Sequence, residues 1–172
     1  MNGLFMDYYG PPHLKTYLNP FALAVDMANN AGGIPGSGNV PVVFTYTFDV
    51  GRFVAALLTL SKWNDEYYII GDKVTWNEVI QMAQEAKGVT FDVKYDSMDK
   101  LKQGQFTELP AHVPMYPFFP KEQLQGLVAS FGVLLEGGYF DFKPTKEQNL
   151  NEIFPDIKTK TMKEVIGAWK GK

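Results

Sequence analysis

An α/β fold is predicted for this chain because strand-like and helix-like stretches alternate through about its first hundred residues, and mainly helix-like stretches follow. The composition supports a folded domain, since 45% of the residues are apolar and 20% are charged, which is ordinary for a globular protein. A chain of 172 residues is long enough to bury a core. We therefore expect one α/β region over residues 1–172 with a helical C-terminus.

The first part of the chain is expected to form short strands around a turn-rich loop. Asn2–Asp7 is strand-like, and Val40–Tyr46 is a second strand. Between them, Asn29–Asn39 is rich in glycine and asparagine and is expected to be a loop. A phosphate-binding glycine loop must leave a strand and open a helix, whereas this loop runs into a strand. We therefore interpret it as a simple turn connection.

Helices alternate with strands in the middle of the chain. A helix is predicted from Thr47, with Asp49 as its N-cap, because a carboxylate there can accept from the free amides of the first turn. Tyr67–Gly71 is a short strand. Thr75–Glu78 is a capping box, which predicts a helix that begins at the next residue and ends at Gly88.

The rest of the chain is predicted to be mostly helical. Val89–Tyr95 alternates apolar and polar residues and is expected to be a half-buried strand, and Ser97 then caps a short helix. Leu109–Pro120 contains four prolines, which excludes a regular helix or a central strand. Lys121–Glu136 follows as a helix, and a second capping box, starting at Thr161, opens the last one.

Composition also argues against several function classes. The net charge is −3 and Arg52 is the one arginine, so we expect no nucleic-acid partner. With no cysteine there is no disulfide and no thiolate site, and His13 and His112 lack acidic neighbours at ligand spacing, so no metal is expected. The longest apolar run, Phe53–Leu58, is too short to span a membrane, and no signal peptide is visible. We therefore expect no membrane partner and a cytoplasmic location.

The aromatic content is the unusual feature, at 15% of the residues. Core packing is the more frequent role for any single aromatic, but a surplus of this size also suits a pocket for a small, flat, apolar molecule. We expect such a pocket between the first strand and the proline-rich loop. Its predicted substrate-binding residues are Phe5, Met6, Tyr8 and Tyr9 on one side and Met115, Tyr116, Phe118 and Phe119 on the other.

Catalytic residues are harder to assign from the sequence. His112 and Tyr116 are candidate acid/base groups because they lie in the proline-rich loop, and histidine is the side-chain type that serves most often as a general acid or base. The alternative for His112 is an ordinary histidine on the loop surface. Tyr139 and Lys143 have the spacing of a reductase Tyr/Lys pair, but Lys143 precedes a proline, which disfavours the shared helical face that such a pair needs.

An ordered set of stretches resembles the second half of NmrA-like (isoflavone-reductase-like) proteins, an atypical branch of the extended short-chain dehydrogenases/reductases. The resemblance covers essentially the whole chain. The stretches that carry it are Asn2–Asp7, Ile34–Gly38, Phe44–Val50, Phe53–Leu58, Tyr68–Asp72, Thr75–Glu78 and Phe154–Lys158.

The resemblance implies that the chain is the C-terminal, substrate-side half of a Rossmann-type fold. Full-length relatives hold NADP through a glycine motif in their first half, and some reduce small aromatic or unsaturated substrates. No such motif stands between a strand and a helix in this sequence, so no cofactor-binding residue is assigned and no cofactor is expected for this chain alone. If the Rossmann half is absent, the first strand has an open edge, and self-association there is expected.

Three functions remain open on the sequence. The first is the substrate-binding part of an NADP-dependent reductase-like protein. The second is a cofactor-free binding protein, or a cyclase or isomerase, in which His112 or Tyr116 supplies the polar group. The third is a non-catalytic redox-sensing or interaction module, which the resemblance also allows.

Overall fold

Two small three-stranded sheets form the centre of the molecule. The computed structural model describes all 172 residues. In chain order the strands are β1 (Leu4–Phe5), β2 (Val25–Asp26), β3 (Ala31–Pro35), β4 (Val42–Thr45), β5 (Asp72–Val74) and β6 (Asp92–Asp96). The first sheet has the order β1-β4-β5, with β1 parallel and β5 antiparallel to β4. The second has the order β2-β3-β6, with β2 antiparallel and β6 parallel to β3. Both sheets contain parallel and antiparallel strand pairs, and helices connect several of the strands, which confirms the predicted α/β fold.

The helices surround these sheets. They are α1 (Thr47–Leu57), α2 (Trp76–Lys87), α3 (Met98–Lys102), α4 (Lys121–Glu136), α5 (Leu150–Ile153) and α6 (Met162–Gly167), with two 3-10 helices at Met6–Tyr9 and Pro110–Met115. Helix α4 packs against β3 and α3, and α2 packs against α6. None of the helices combines the length and the apolar character that a membrane crossing requires.

Both predicted capping boxes are present. At Thr75 the hydroxyl accepts from the Glu78 amide at 3.2 Å, and the Glu78 carboxylate accepts from the Thr75 amide at 2.7 Å. The same reciprocal pair joins Thr161 and Glu164. The helices α2 and α6 therefore begin where local sequence predicts, because each box satisfies two amides that the helix itself leaves free. Ser97 also caps α3 as predicted.

The prediction of a loop over Asn29–Asn39 was only partly correct. Residues 31–35 form β3, the central strand of the second sheet, and turns lie on either side of it. Glycine serves close packing in this strand, because a Cβ atom on Gly33 would lie 2.8 Å from the Phe106 ring. Gly36 and Gly38 then take positive φ values of 57° and 68° in the turn.

The assignment of Asp49 as an N-cap was wrong. The N-cap position of α1 is Tyr46, and the carboxylate that accepts from the Thr47 amide, at 2.9 Å, belongs to Asp7. Asp49 lies inside the first turn, where it is buried and accepts from the Lys160 amide at 2.7 Å. A local pattern could not reveal a cap that comes from 40 residues away.

The strand boundaries also differ from prediction. Tyr67–Gly71 makes only an isolated bridge, from Tyr68 to Asn149, and the strand begins at Asp72 instead. Strand β6 starts three residues later than the predicted Val89. Strand β1 keeps only two residues of the predicted Asn2–Asp7, because the chain turns into a 3-10 helix at Met6. Since β1 is the edge of its sheet, pairing of this edge with another chain stays a prediction.

Candidate functional site

An apolar cavity of about 330 Å³ lies beside β1 and the 3-10 helix that follows it. We call it the β1 cavity. It is lined by Gly3, Leu4, Phe5, Tyr8, Tyr9, Phe21, Leu23, Phe131 and Phe140. None of these side chains carries a charge at neutral pH, so the walls favour an uncharged, largely aromatic molecule.

Asp7 fixes the 3-10 helix that carries the two tyrosines of the cavity. Its carboxylate is fully buried and accepts from the Thr16 hydroxyl at 2.8 Å and from both the amide and the hydroxyl of Thr47. Three donors on two segments satisfy this charge, which would otherwise be costly to bury. Asp7 is therefore a structural anchor that sets the positions of Tyr8 and Tyr9.

Tyr9 is held firmly but its hydroxyl is left without a partner. The Trp169 indole donates to the Tyr9 carbonyl at 2.7 Å, and the Tyr9 ring packs edge-to-face against Phe44 and Trp76, with centroids 6.0 Å away in each case. The residue is 1% exposed, and no protein atom bonds its hydroxyl. Burial raises the pKa of Tyr9 well above its ordinary value, so the hydroxyl stays protonated.

A second apolar cavity, of about 290 Å³, adjoins the first. The two share Tyr8 and Phe21, whose rings meet edge-to-face at 6.0 Å. The second cavity extends toward the prolines at 11, 12 and 20 and reaches Asp26 and Ala111. An edge-to-face aromatic pair thus forms a common wall between two apolar spaces.

The structure brings together only part of the predicted pocket. Phe5, Tyr8 and Tyr9 line the β1 cavity as the sequence suggested. Met6 does not, because the 3-10 turn points it into the main core, where it is fully buried. A Cβ atom placed on Gly71 would meet its Cε at 3.1 Å.

The proline-rich loop supplies none of the four predicted residues to the β1 cavity. Phe118 is 90% exposed, and Met115 and Phe119 pack half-buried against the main core.

Tyr116 donates to the Glu108 carboxylate at 2.5 Å, and this carboxylate also pairs with Lys121. Partial burial and the bond to Glu108 raise the pKa of Tyr116 to about 12. The loop folds as a 3-10 helix away from β1, and it contributes only Ala111 to the second cavity.

His112 is buried rather than on the loop surface. Its Nδ1 atom accepts from the Leu109 amide at 3.2 Å, so the Nε2 atom carries the hydrogen and donates to the Ala22 carbonyl at 2.7 Å. Only 2% of the residue is exposed. Both ring nitrogens are thus occupied in tying the proline-rich loop to the segment before β2, and this arrangement favours a structural role.

Several cavity residues escaped sequence reasoning. Phe21 and Leu23 come from the irregular segment before β2, Phe131 from α4, and Phe140 from the extended stretch after α4. Phe140 is placed there because its carbonyl accepts from the Val43 amide at 2.9 Å. Phe131 is half-buried on α4, but no local sequence pattern says which buried side chains border a cavity.

The glycine turn after β3 does not fit a dinucleotide phosphate. Its carbonyl at Gly38 accepts from the Asn77 amide at the start of α2, and its Ser37 amide donates to the Glu136 carboxylate at 3.0 Å. A phosphate at this turn could not bond the Asn77 amide, which already donates to Gly38, and it would be repelled by the Glu136 carboxylate. Elsewhere, no group of three or more histidine, aspartate or glutamate side chains comes together as metal ligands would.

Comparison with known proteins gives a consistent assignment. No family model matches the chain. The oxidoreductase BOA1 of Botryotinia fuckeliana is 35% identical over 158 residues, which cover 91% of this chain and 48% of the relative. The chain spans about half the length of the curated relatives it matches.

Solved structures show the same correspondence at the level of the fold. A structure described as AtPrR2 with NADP+ and (+)pinoresinol matches 97% of this chain and 49% of its own, with a TM-score of 0.65 and 21% identity. An isoflavone reductase structure matches 95% of this chain and 49% of its own, with a TM-score of 0.63 and 19% identity. Together with the BOA1 match, these structures show that the chain has the fold of the C-terminal half of these reductases, and they confirm its resemblance to NmrA-like (isoflavone-reductase-like) proteins.

Proposed function

We propose that this chain is the substrate-binding part of an NADP-dependent reductase-like protein, and that the β1 cavity holds a small, uncharged aromatic or unsaturated metabolite. One observation carries the proposal, namely a cavity of about 330 Å³ whose walls are aromatic and aliphatic and hold no charge. This volume falls within the range of small-molecule sites.

The position of the cavity supports this proposal. Its walls include β1 and the residues that follow β1, and β1 runs parallel to β4. Ligands of open α/β sheets bind beyond the carboxyl ends of such strands. The relative BOA1 is described as an oxidoreductase, and AtPrR2 has been solved with NADP+ and (+)pinoresinol. In this chain the cavity would bind and orient the substrate and exclude water from it.

The dinucleotide belongs to a separate part of the proposal. We propose that this chain does not hold NADP by itself, because two groups of its glycine turn are already hydrogen-bonded. The Gly38 carbonyl accepts from the Asn77 amide of α2, and the Ser37 amide donates to the Glu136 carboxylate. An NADPH titration followed by fluorescence tests this directly. We expect no saturable binding, and tight binding by the chain alone would contradict this part of the proposal.

An aromatic ketone, 2-acetylnaphthalene, is a suitable probe of the cavity itself, with binding followed by quenching of the tryptophan fluorescence of the protein. We expect saturable binding, with affinity lowered about tenfold by Phe140→Ala, which removes one aromatic wall. Phe118→Ala is the matched control, since it removes the same ring from a 90% exposed position outside the cavity. Absence of saturable binding, or an equal loss in the two variants, would refute the cavity as the binding site.

A further inference from the structure

Three aromatic rings outside the two cavities form a stack that runs from the core to the surface. The rings of Tyr46 and Phe48 are stacked with centroids 5.1 Å apart, and the Tyr17 ring follows at 5.7 Å from Phe48 with a tilt of 31°. Tyr46 is buried, Phe48 is half-buried and Tyr17 is 82% exposed. We call these three residues the aromatic stack.

The topology places the aromatic stack where α/β sheets bind ligands. Tyr46 directly follows β4, and β1 runs parallel to β4, so both strands end at the same edge of the sheet. The segment that carries Tyr17 is bonded to this edge, because the Thr16 hydroxyl donates to the Asp7 carboxylate at 2.8 Å and the Tyr46 hydroxyl donates to the Lys15 carbonyl. Tyr17 therefore has a defined position although most of its side chain is exposed.

Two ammonium groups lie against the aromatic stack without an acidic partner. The Lys15 Nζ atom is 5.5 Å from the Phe48 ring centroid and 5.8 Å from the Tyr17 ring centroid. At the inner end, the Lys160 Nζ atom is 5.7 Å from the Tyr46 ring centroid. Neither ammonium group lies within ion-pair distance of a carboxylate.

The other two lysines that lie over aromatic rings have partners within the protein. Lys121 pairs with the Glu108 carboxylate, and Lys87 donates to the Met27 carbonyl. The two ammonium groups on the aromatic stack therefore keep their bonding capacity for an anion from outside the protein.

The carboxylates close to the aromatic stack are already bonded inside the protein. Burial, and then the carboxylates of Asp7 and Asp49, raise the pKa of Tyr46, so both acids lie near the inner end of the stack. Both are buried, and Asp7 accepts from Thr47 while Asp49 pairs with Arg52. An anion that approaches from solvent therefore meets the ammonium groups rather than these carboxylates.

The geometry at the exposed end leaves room for one more ring. The centroids of Tyr17 and Phe48 and the Lys15 Nζ atom are separated by nearly equal distances of 5.5, 5.7 and 5.8 Å, so the ammonium group lies on the Phe48 side of Tyr17. The part of the Tyr17 ring that points away from Phe48 stays open to solvent. A flat ring packed there would extend the stack, and an acidic substituent on it would bond the ammonium group.

We infer that the aromatic stack, with Lys15 and Lys160, forms a binding site for a planar aromatic anion, either a carboxylate or a phosphate ester. The ligand ring packs on Tyr17 and its anionic group bonds the Lys15 ammonium, while Lys160 adds positive potential at the inner end. This site is separate from the β1 cavity, because none of its residues lines that cavity, and the uncharged walls of the cavity disfavour an anion. The inference therefore goes beyond the proposed function and does not depend on it.

Two matched probes test the requirement for charge, namely 2-naphthoate and 2-naphthamide, which share the ring and nearly the same shape but differ in charge. Titrations followed by amide NMR should show saturable binding of 2-naphthoate, with shift changes at residues 15–18 and 46–48. Binding of 2-naphthamide should be about fivefold weaker. Added salt should reduce this difference, because it screens exposed charges. A parallel titration with 2-naphthyl phosphate distinguishes the two kinds of anion by their affinities.

Two substitutions separate the roles of charge and ring. Lys15→Met should weaken binding of 2-naphthoate about fivefold and leave binding of 2-naphthamide unchanged. Tyr17→Leu should weaken binding of both probes about fivefold, because both lose the ring on which they pack. Lys62→Met and Tyr139→Leu are the matched controls, since they change exposed side chains of the same types outside the stack, and they should change neither affinity.

Several outcomes would overturn the inference. They are equal affinities for 2-naphthoate and 2-naphthamide, losses in the control variants equal to those in the stack variants, and absence of saturable binding of both anions. Shift changes confined to the residues that line the β1 cavity would also overturn it. The proposed function is tested separately, because Lys15→Met should leave the affinity of the β1 cavity for 2-acetylnaphthalene unchanged.

Discussion

Two buried regions of this molecule treat their polar groups in opposite ways. In the region around the proline-rich loop, the buried carboxylates of Asp26 and Asp96 and the ring of His112 have all their partners inside the protein. Asp26 accepts from Asn29 and from the Ala111 amide at 2.8 Å. In the β1 cavity the walls are apolar, and the buried hydroxyl of Tyr9, one of the lining residues, has no partner in the protein.

The difference shows where a ligand can be recognised. A polar group whose bonds are all made inside the protein fixes the backbone but has nothing left to offer a ligand. The histidine and the aromatic residues of the proline-rich loop suggested a functional site in the sequence. In the structure, however, the polar groups of His112 and Tyr116 form hydrogen bonds within the protein. The cavity beside β1 is lined by uncharged side chains and contains no such network of bonded polar groups.

The largest loss of stability is expected on substitution of Asp96, one of the fully bonded carboxylates near the proline-rich loop. Its carboxylate accepts from the amide and hydroxyl of Thr107, at 2.6 and 2.8 Å, and pairs with Lys100. Asp96→Ala leaves these donors unpaired and should lower the free energy of unfolding by about 3 kcal/mol or more, measured by urea denaturation.

Asp92 provides the control for this substitution within the same strand. Its side chain is 75% exposed, and its carboxylate lies 3.8 Å from the Lys94 ammonium. Asp92→Ala should therefore change the stability by no more than about 0.5 kcal/mol. Equal costs for the two substitutions would show that the bonds around Asp96 do not hold this region together.

A smaller loss of stability is expected on substitution of His112. The same substitution tests whether this residue has only a structural role. His112→Ala frees the Leu109 amide and the Ala22 carbonyl, and it should cost about 2–3 kcal/mol of stability. The affinity of the folded fraction for 2-acetylnaphthalene should stay the same. His13→Ala, at an exposed histidine, should cost less. A variant that folds fully but loses the probe would assign His112 to ligand binding after all.

Local features of this fold could be predicted from the sequence, and long-range ones could not. The capping boxes at Thr75 and Thr161 were correct because each interaction joins residues three positions apart. The cap of α1 was missed because Asp7 reaches it across 40 residues. Strand β3 was missed because Gly32 and Gly33 look like turn residues in the sequence, which does not reveal that the Phe106 ring packs against Gly33.

The candidate site divides in the same way. Phe5, Tyr8 and Tyr9 were predicted because they lie at the end of the first strand or just after it, where α/β proteins place their ligands. The opposite wall was assigned to the proline-rich loop because this loop is long, rich in aromatic residues and expected near the strand ends. The structure instead uses Phe131 and Phe140, which α4 and the segment after it bring to the cavity through tertiary packing.

The smallest effect is expected at Phe118, the most exposed of the loop aromatics. If it plugged the core, Phe118→Ala would cost about 3 kcal/mol or more. If it walled the cavity, the affinity for a flat aromatic probe would fall about tenfold. At 90% exposure it does neither, so we expect a change in stability within about 0.5 kcal/mol and an unchanged affinity for 2-acetylnaphthalene. Urea denaturation and fluorescence titration of the same variant measure both quantities. A loss in affinity at unchanged stability would mean that the loop contacts the ligand. The proline-rich loop would then belong to the binding site, contrary to the contrast drawn above between the loop and the β1 cavity.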